Sequence, residues 1–156
     1  MKKMGKILVG VISACGIWKL GKHFYNTLCH EEKMKEKNRT LLQLFVKWLE
    51  NRENNKRIDT YLIDLGIHTV AIYGMSDAGQ KLYSELKQSD IKVAYAIDRR
   101  LIEFDEELEI VSPDNELEQV DAIIVTAVFD YADIFEMLQS KTECLIISLE
   151  QIVNEM

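Results

Sequence analysis

A short glycine-containing segment, Gly74-Met-Ser-Asp-Ala-Gly79, has the residue types and spacing of a phosphate-binding turn. It lies between an apolar run that predicts a strand and a run that predicts a helix, which is the context that such a turn requires. Gly74 permits a tight turn, and Gly79 allows the helix to approach the strand closely. The backbone N–H groups at the start of the helix, from Met75 and Ser76 onward, can then bind a phosphate with help from the helix dipole.

Two residues of this turn differ from what a dinucleotide-binding fingerprint requires. Ser76 stands where the fingerprint has its middle glycine, so its side chain hinders close approach of a pyrophosphate. Its hydroxyl group can instead donate a hydrogen bond to an anion. Asp77 adds a negative charge beside the turn, which disfavours a bare phosphate. The segment therefore predicts a nucleotide site without the features of tight dinucleotide binding.

An acidic residue, Asp98, ends the second predicted strand, 24 residues after Gly74. In dinucleotide-binding folds, an acid near this place binds the ribose hydroxyls. The alternative is an ordinary turn residue in a solvated loop. Arg99 and Arg100 follow directly in the sequence, and their side chains can bind a phosphate group. The order of glycine turn and acid predicts cofactor-binding roles for Asp98 and Arg99.

The end of the fourth predicted strand supplies a further candidate, Thr126, followed by Ala127 and Phe129. Ligands of open α/β sheets bind beyond the carboxyl ends of the strands, where the strand order reverses. We therefore expect these three residues to face the same crevice as the glycine turn.

No catalytic residue is predicted. The segment Tyr83-Ser-Glu-Leu-Lys87 spells the Tyr-x-x-x-Lys pair of short-chain dehydrogenases, but it lies on the helix directly after the glycine turn rather than on a later one. We therefore interpret it as a packed tyrosine and a surface lysine. The sequence has no HExxH, GxSxG or P-loop motif, and its three cysteines form no CxxC pair, so no metal site is predicted.

Strands alternate with helices over residues 67–156. The predicted strands are Thr69–Tyr73, Ile91–Ile97, Glu109–Val111, Asp121–Thr126 and Glu143–Ser148. The predicted helices are Ala78–Gln88, a short one opened by Ser112-Pro113, Tyr131–Leu138 capped by Asp130, and Leu149–Glu155. This alternation favours parallel pairing with right-handed crossovers. The fold class predicted is α/β, a Rossmann-like three-layer domain with a mostly parallel five-stranded sheet, preceded by N-terminal helices.

Residues 31–66 predict a helical lead-in to this domain. The segment Glu31–Lys56 is a long helix by pattern, and Ile58–Leu65 is a short amphipathic one ended by Gly66. An apolar stripe at helical spacing runs along the long helix. It consists of Leu41, Leu42, Phe45, Trp48 and Leu49. Such a stripe is typical of packing against a core or a second copy.

Residues 1–30 predict a basic, apolar N-terminal helix, with five lysines and no acidic residue. The uncharged run from Ile7 to Trp18 rises about 18 Å as a helix, against the roughly 30 Å of a bilayer core, so no full span is expected. The helix either lies on a membrane surface, anchored by Trp18, Phe24 and Tyr25, or packs on the domain or a partner.

Charge is divided unevenly along the chain, whose net value is -7. Residues 1–57 have 13 basic and 5 acidic side chains, a net +8, and residues 58–156 have 6 and 21, a net -15. The acidic body argues against nucleic acid as a partner, and the basic head suggests an anionic membrane or protein surface. The cysteine pattern fits a reducing compartment, so we expect a cytoplasmic protein that is peripheral to the inner face of the cell membrane.

The run Val70–Gly79, together with Ile91–Asp98 and Asp121–Thr126, resembles the Rossmann-like nucleotide-binding domains of bacterial surface and capsular polysaccharide biosynthesis clusters. Those domains occur alone, fused to glycosyltransferases, or at the N-terminus of sugar acetyltransferases and nucleotide-sugar dehydratases. The resemblance covers residues 38–156. It implies a nucleotide or nucleotide-sugar ligand, with Gly74, Ser76, Gly79 and Asp98 at the matching positions.

Three functions follow as hypotheses. The first is a nucleotide or nucleotide-sugar binding module of polysaccharide biosynthesis, non-catalytic by itself. The second is an NAD(P)-dependent sugar-modifying enzyme, similar to an epimerase or dehydratase, that needs a partner. The third is a degenerate scaffold domain that docks a glycosyltransferase. NAD(P) or a nucleotide sugar is the expected cofactor, without a metal.

Overall fold

The computed structural model describes residues 2–100 and 104–156, with the side chains of residues 25–27, 29–100 and 104–156. The chain divides into two compact units, Met1–Leu42 and Gln43–Met156. Helix α1, Lys2–Glu53, contributes to both. The segments predicted as helical over residues 1–30 and Glu31–Lys56 both lie along α1, which ends at Glu53 rather than Lys56. No proline interrupts the chain before Pro113.

The second unit contains an α/β sheet domain. Its helices are α2 (Ile58–Asp64), α3 (Asp77–Leu86), α4 (Tyr131–Gln139) and α5 (Leu149–Glu155). Its strands are β1 (Thr69–Tyr73), β2 (Lys92–Ile97), β3 (Ile110–Val111), β4 (Ala122–Val125) and β5 (Leu145–Ser148). All strand pairs are parallel, in the order β3-β2-β1-β4-β5. This confirms the predicted α/β class, a Rossmann-like three-layer domain with five strands.

The two faces of the sheet form two apolar layers, because side chains alternate along each strand. One layer contains Ala71, Tyr73, Ile123 and Val125, packed with residues of α4. The other includes Val70, Ile72, Ile124 and Ile147, all buried. The predicted inner face of α3 is confirmed. It consists of Ala78, Leu82 and Leu86, which are fully or almost fully buried.

The inner face of α1 differs from the predicted stripe. Leu44, Trp48 and Asn51 are buried, whereas Leu42 and Leu49 are 64% and 61% exposed. Asn51 donates a hydrogen bond from Nδ2 to the carbonyl oxygen of Val153 at 2.6 Å. The sequence pattern missed Asn51 because an amide is counted as polar even where a backbone carbonyl satisfies it.

The loop after β3 is another correction, because the described segment 112–120 contains no helix. Ser112 and Asn115 instead close a turn, with the Asn115 N–H donating to the Ser112 carbonyl oxygen at 3.0 Å. Side chains bind two further carbonyl groups of the segment. Lys141 Nζ donates to Pro113, and the Tyr95 hydroxyl donates to Glu118 at 2.7 Å. Long-range partners thus replace helical hydrogen bonds here.

Within the described residues, no helix combines the length and apolar character needed to cross a membrane. The side chains of Trp18 and Phe24, predicted as membrane anchors, lie outside the described residues. Tyr25, the third predicted anchor, is 67% exposed.

Asp121 joins the start of β1 to the start of β4. Its Oδ2 accepts hydrogen bonds from the backbone N–H of His68 at 2.9 Å and of Thr69 at 2.7 Å. The Thr69 hydroxyl donates to the same oxygen at 2.8 Å. The His68 bond, followed by those from Thr69, lowers the pKa of Asp121 below its ordinary value. The carboxylate form therefore stabilises the register of these two strands.

We expect Asp121→Ala to lower the free energy of unfolding at neutral pH and to have little effect in strong acid. A carboxyl group whose pKa is depressed by folding contributes stability above its unfolded pKa, near 4 for aspartate, and loses it as the pH falls through the folded pKa. Urea unfolding of both proteins between about pH 7 and pH 2 measures this difference. A difference that stays constant with pH would contradict the assignment to the ionised carboxylate.

Candidate functional site

An open cleft of about 570 Å³ lies at the carboxyl ends of β1, β2 and β4. This is where the strand order reverses on either side of β1, the place at which open α/β sheets bind ligands. The cleft is lined by Tyr73, Gly74, Ser76, Asp98, Arg99, Arg100, Ala127, Asp130, Asp133, Ile134 and Met137.

Gly74 makes the turn that leads from β1 into the cleft. Its φ angle is +94°, a conformation that L side chains rarely adopt. A Cβ atom on Gly74 would lie 2.9 Å from Thr126 Oγ1, so glycine is required for space as well. The Gly74 N–H donates to the Ile97 carbonyl oxygen at 2.8 Å, which extends the pairing of β1 and β2. The predicted conformational role of Gly74 is therefore confirmed.

Gly79 lies where α3 crosses the turn. A Cβ atom there would be 2.0 Å from the Gly74 carbonyl oxygen, so only glycine permits this approach. The predicted role of Gly79 in close helix–strand packing is confirmed, but Gly79 does not itself line the cleft.

Thr126 supports the turn from β4. Its hydroxyl donates to the Gly74 carbonyl oxygen at 2.6 Å and lies 3.1 Å from that of Tyr73. The side chain is only 3% exposed and is not part of the cleft lining. The expectation that Thr126 faces the crevice was therefore wrong, because the backbone carbonyl groups draw its hydroxyl inward. Ala127 does line the cleft, whereas Phe129 does not.

Asp98 is 8% exposed and lies at the floor of the cleft. Its Oδ2 accepts a hydrogen bond from the Met75 N–H at 2.8 Å, and its Oδ1 accepts one from the Arg100 N–H at 2.8 Å. Arg100 Nε lies 3.7 Å from the same Oδ1. Both carboxylate oxygens thus hold the two loops of the site together. Each retains a lone pair with which it can accept from a ligand hydroxyl.

Met75 was predicted as a phosphate-binding residue, but its N–H group faces Asp98 and its side chain is fully buried. Ser76 instead begins the accessible part of the turn, as the N-cap of α3. Within the described chain its side chain makes no capping hydrogen bond. The first N–H groups of a helix have no acceptors within the helix. The start of α3 therefore presents donors beside a serine hydroxyl at the cleft.

The wall opposite the turn comes from α4, which the sequence interpretation had not assigned to the site. Asp133, Ile134 and Met137 line this wall, together with Asp130 just before the helix. Asp130 was predicted as the cap of α4, but within the described chain its side chain makes no capping hydrogen bond. The spacing of Asp130, Asp133 and Met137 on one helical face was the signal that could have identified them.

The Tyr83–Lys87 pair lies away from the cleft. Tyr83 is buried against Phe104, with its ring centroid 5.8 Å from that of Phe104. Hydrogen bonds to Asp105 and then Glu107 raise the pKa of Lys87, and burial, then the charge of Asp105, raises that of Tyr83. Both groups are thereby held protonated. The interpretation as a packed tyrosine and a surface lysine is confirmed.

The fold and the cleft together define a Rossmann-like α/β domain with a ligand-sized site at the reversal of its strand order. Among the described residues, no group of three or more His, Cys, Asp or Glu side chains is placed to hold a metal ion. Comparisons of the chain with protein-family models, with curated proteins and with solved structures each give no match.

Proposed function

We propose that the cleft binds a nucleotide or a nucleotide sugar and that the protein acts as a binding module, non-catalytic by itself. The observation that carries this proposal is the position of the cleft. It opens at the switch point of a parallel sheet, between a glycine turn that starts a helix and the basic pair Arg99-Arg100. Phosphate groups bind where helix N-termini and arginine side chains converge.

The distribution of charge in the cleft supports a ligand with both phosphate and hydroxyl groups. Arg99 and Arg100 lie at the end of β2, beside the buried carboxylate of Asp98, whereas Asp130 and Asp133 lie on the α4 side. Carboxylates accept hydrogen bonds from sugar hydroxyls and repel phosphates, and arginines do the reverse. A nucleotide sugar offers both kinds of group, and its sugar hydroxyls would then lie toward α4.

We place this binding activity in bacterial polysaccharide biosynthesis, because the glycine turn and the strands resemble domains of those gene clusters. In this proposal the protein is cytoplasmic, and the basic residues 1–30 hold it to the inner face of the membrane or to a partner such as a glycosyltransferase. The excess of lysine in that segment supports an anionic target.

Thermal unfolding of the full chain against UDP-, dTDP- and CMP-sugars, NAD(H), NADP(H) and coenzyme A tests the proposal. A ligand at 100 times its dissociation constant adds about 2.7 kcal/mol of stability, a shift of several degrees. We expect a nucleotide sugar to give this shift. We also expect Arg99→Gln to weaken binding by about tenfold or more, because a hydrogen bond to a charged group contributes roughly 1.5–3 kcal/mol.

Lys92→Gln is the matched control. It removes the same charge from an exposed residue at the opposite end of β2, so the affinity should not change. If only NAD(H) or NADP(H) raises the unfolding temperature, the result would contradict this proposal and favour the NAD(P)-dependent sugar-modifying enzyme. If none of the compounds raises the unfolding temperature, the binding proposal would be overturned and the scaffold domain favoured.

A further inference from the structure

The hydroxyl group of Tyr73, at the end of β1, makes no hydrogen bond to any described residue. Tyr73 itself is buried, with an exposure of 5%. Tyr95 and Tyr131 differ, because their hydroxyl groups donate to the carbonyl oxygens of Glu118 at 2.7 Å and of Ile146 at 3.1 Å. A buried tyrosine hydroxyl usually has such a partner, so the exception at Tyr73 indicates a partner that the described chain does not supply.

The same hydroxyl opens into the cleft at the carboxyl ends of the strands, which Tyr73 lines. Its oxygen atom is not enclosed by the core, since Glu85 Oε1 is the one fully buried side-chain nitrogen or oxygen without a partner in the described chain. The ring is held in place by apolar neighbours, which include Val125, Ile134 and Leu138. The hydroxyl is therefore a preorganised donor and acceptor, which a ligand can use at little entropic cost.

Tyr73 shares its side of the cleft with the wall formed by α4. Ala127, Ile134 and Met137 line the cleft and pack in the same apolar layer as the Tyr73 ring. Asp133 lines this wall too, with an exposed side chain that makes no hydrogen bond or ion pair to any described residue. This side of the cleft thus combines an apolar surface with a fixed hydroxyl and an available carboxylate.

A sugar ring fits this combination better than the other parts of a nucleotide sugar do. Its C–H groups can cover apolar side chains, and its hydroxyl groups can donate to a carboxylate and form hydrogen bonds with a phenol. A phosphate group would be repelled by the Asp133 carboxylate. A nucleotide base commonly stacks on the face of an aromatic ring, whereas the Tyr73 ring is buried in the core.

We propose that Tyr73 and Asp133 bind the sugar ring of a nucleotide sugar, with a hydrogen bond between the Tyr73 hydroxyl and one hydroxyl group of the ring. Ile134 and Met137 cover the apolar side of the sugar. This inference rests on the function proposed above, and it adds the residues that distinguish a nucleotide sugar from the nucleotide alone. The phosphate groups bind at Arg99, so the phosphate and sugar parts of the ligand contact different residues.

Tyr73→Phe in the full chain tests this inference, because it removes only a hydroxyl group that no described residue uses. The unfolding temperature without ligand should therefore not fall. Isothermal titration calorimetry measures the affinities for UDP-glucose and UDP, dTDP-glucose and dTDP, and CMP-N-acetylneuraminate and CMP. We expect Tyr73→Phe to weaken binding of the sugar-bearing compound by about three- to tenfold, the effect of one neutral hydrogen bond, and to leave binding of the nucleotide alone unchanged.

Tyr95→Phe is the matched control, since it removes the hydroxyl of another buried tyrosine that does not line the cleft. That hydroxyl donates to Glu118, so the control should lower the unfolding temperature and leave both affinities unchanged. Asp133→Asn should weaken binding of the sugar-bearing compound by about tenfold and should not weaken binding of the nucleotide. Its control is Glu136→Gln, which removes the same charge from an exposed residue of α4 outside the cleft lining.

Three outcomes would overturn the inference. If Tyr73→Phe leaves the affinities for all the sugar-bearing compounds unchanged while Arg99→Gln weakens them, Tyr73 has no part in sugar binding, although the proposed function stands. If Tyr73→Phe weakens binding of the nucleotide as much as that of the nucleotide sugar, the α4 wall binds the base or the ribose instead. If the parent protein binds none of the six compounds, the proposed function fails and this inference fails with it.

Discussion

Replacing Gly79 by alanine is expected to lower the free energy of unfolding by about 3 kcal/mol or more, the upper range for overpacking. The new Cβ atom would lie 2.0 Å from the Gly74 carbonyl oxygen. That oxygen belongs to the backbone and cannot rotate away, so α3 would have to move off β1. Urea unfolding followed by circular dichroism measures the loss.

Gly66→Ala is the matched control, because Gly66 has a positive φ angle of +77° but no atom within 4 Å of its would-be Cβ. Its cost comes from backbone strain alone, about 1 kcal/mol. If Gly79→Ala were no more destabilising than Gly66→Ala, the close contact between α3 and the turn would be wrong.

Asp98→Ala is expected to lower the free energy of unfolding by about 2–3 kcal/mol, because it leaves one buried and one partly buried N–H donor without an acceptor. The change removes the acceptor of the Met75 N–H and that of the Arg100 N–H. Asp98→Asn keeps one acceptor oxygen, so we expect a loss of about half that size. Urea unfolding of the three proteins without ligand measures both effects.

An Asp98→Ala variant as stable as the parent protein would contradict this structural role. Asp98 would then be expected to act only in ligand binding. The predicted loss of stability also affects how the site is probed. Weaker ligand binding by Asp98 or Gly74 variants would report damage to the turn itself. Arg99 is the better probe, because its exposed side chain lines the cleft.

The sequence predicted the sheet well where apolar runs are flanked by turn residues. The bounds of β1, Thr69–Tyr73, and of α5, Leu149–Glu155, agree with the prediction at both ends. Gly66 also follows α2 as expected, with its N–H donating to Ile63 at 2.8 Å and that of Ile67 donating to Leu62 at 2.9 Å. These features depend on local residue types, which a single sequence displays directly.

The sequence failed where long-range partners decide the structure. A serine and a proline at residues 112 and 113 are a good local signal for a helix start. The signal was overridden by Tyr95 and Lys141, distant side chains that bind carbonyl groups of the same segment. The residue types next to a segment in sequence do not indicate such long-range contacts.

In the candidate site, too, features set by local residue types were predicted and features set by long-range contacts were not. The glycine turn was predicted because its backbone requirements fall on two glycines. The binding partners of Asp98 and Thr126 were not, because each forms hydrogen bonds with a loop that is distant in sequence. Asp133 was overlooked because an acidic residue in the first turn of a helix is usually explained by its favourable interaction with the helix dipole.

The two outer strands of the sheet are short, with two residues in β3 and four in β5. An outer strand presents unpaired N–H and C=O groups that can template the addition of a strand from another molecule. Because both outer strands are short here, they present few unpaired backbone groups to which another strand could bind. The protein should thus resist amyloid-like polymerisation through its sheet, even when it is crowded at high concentration.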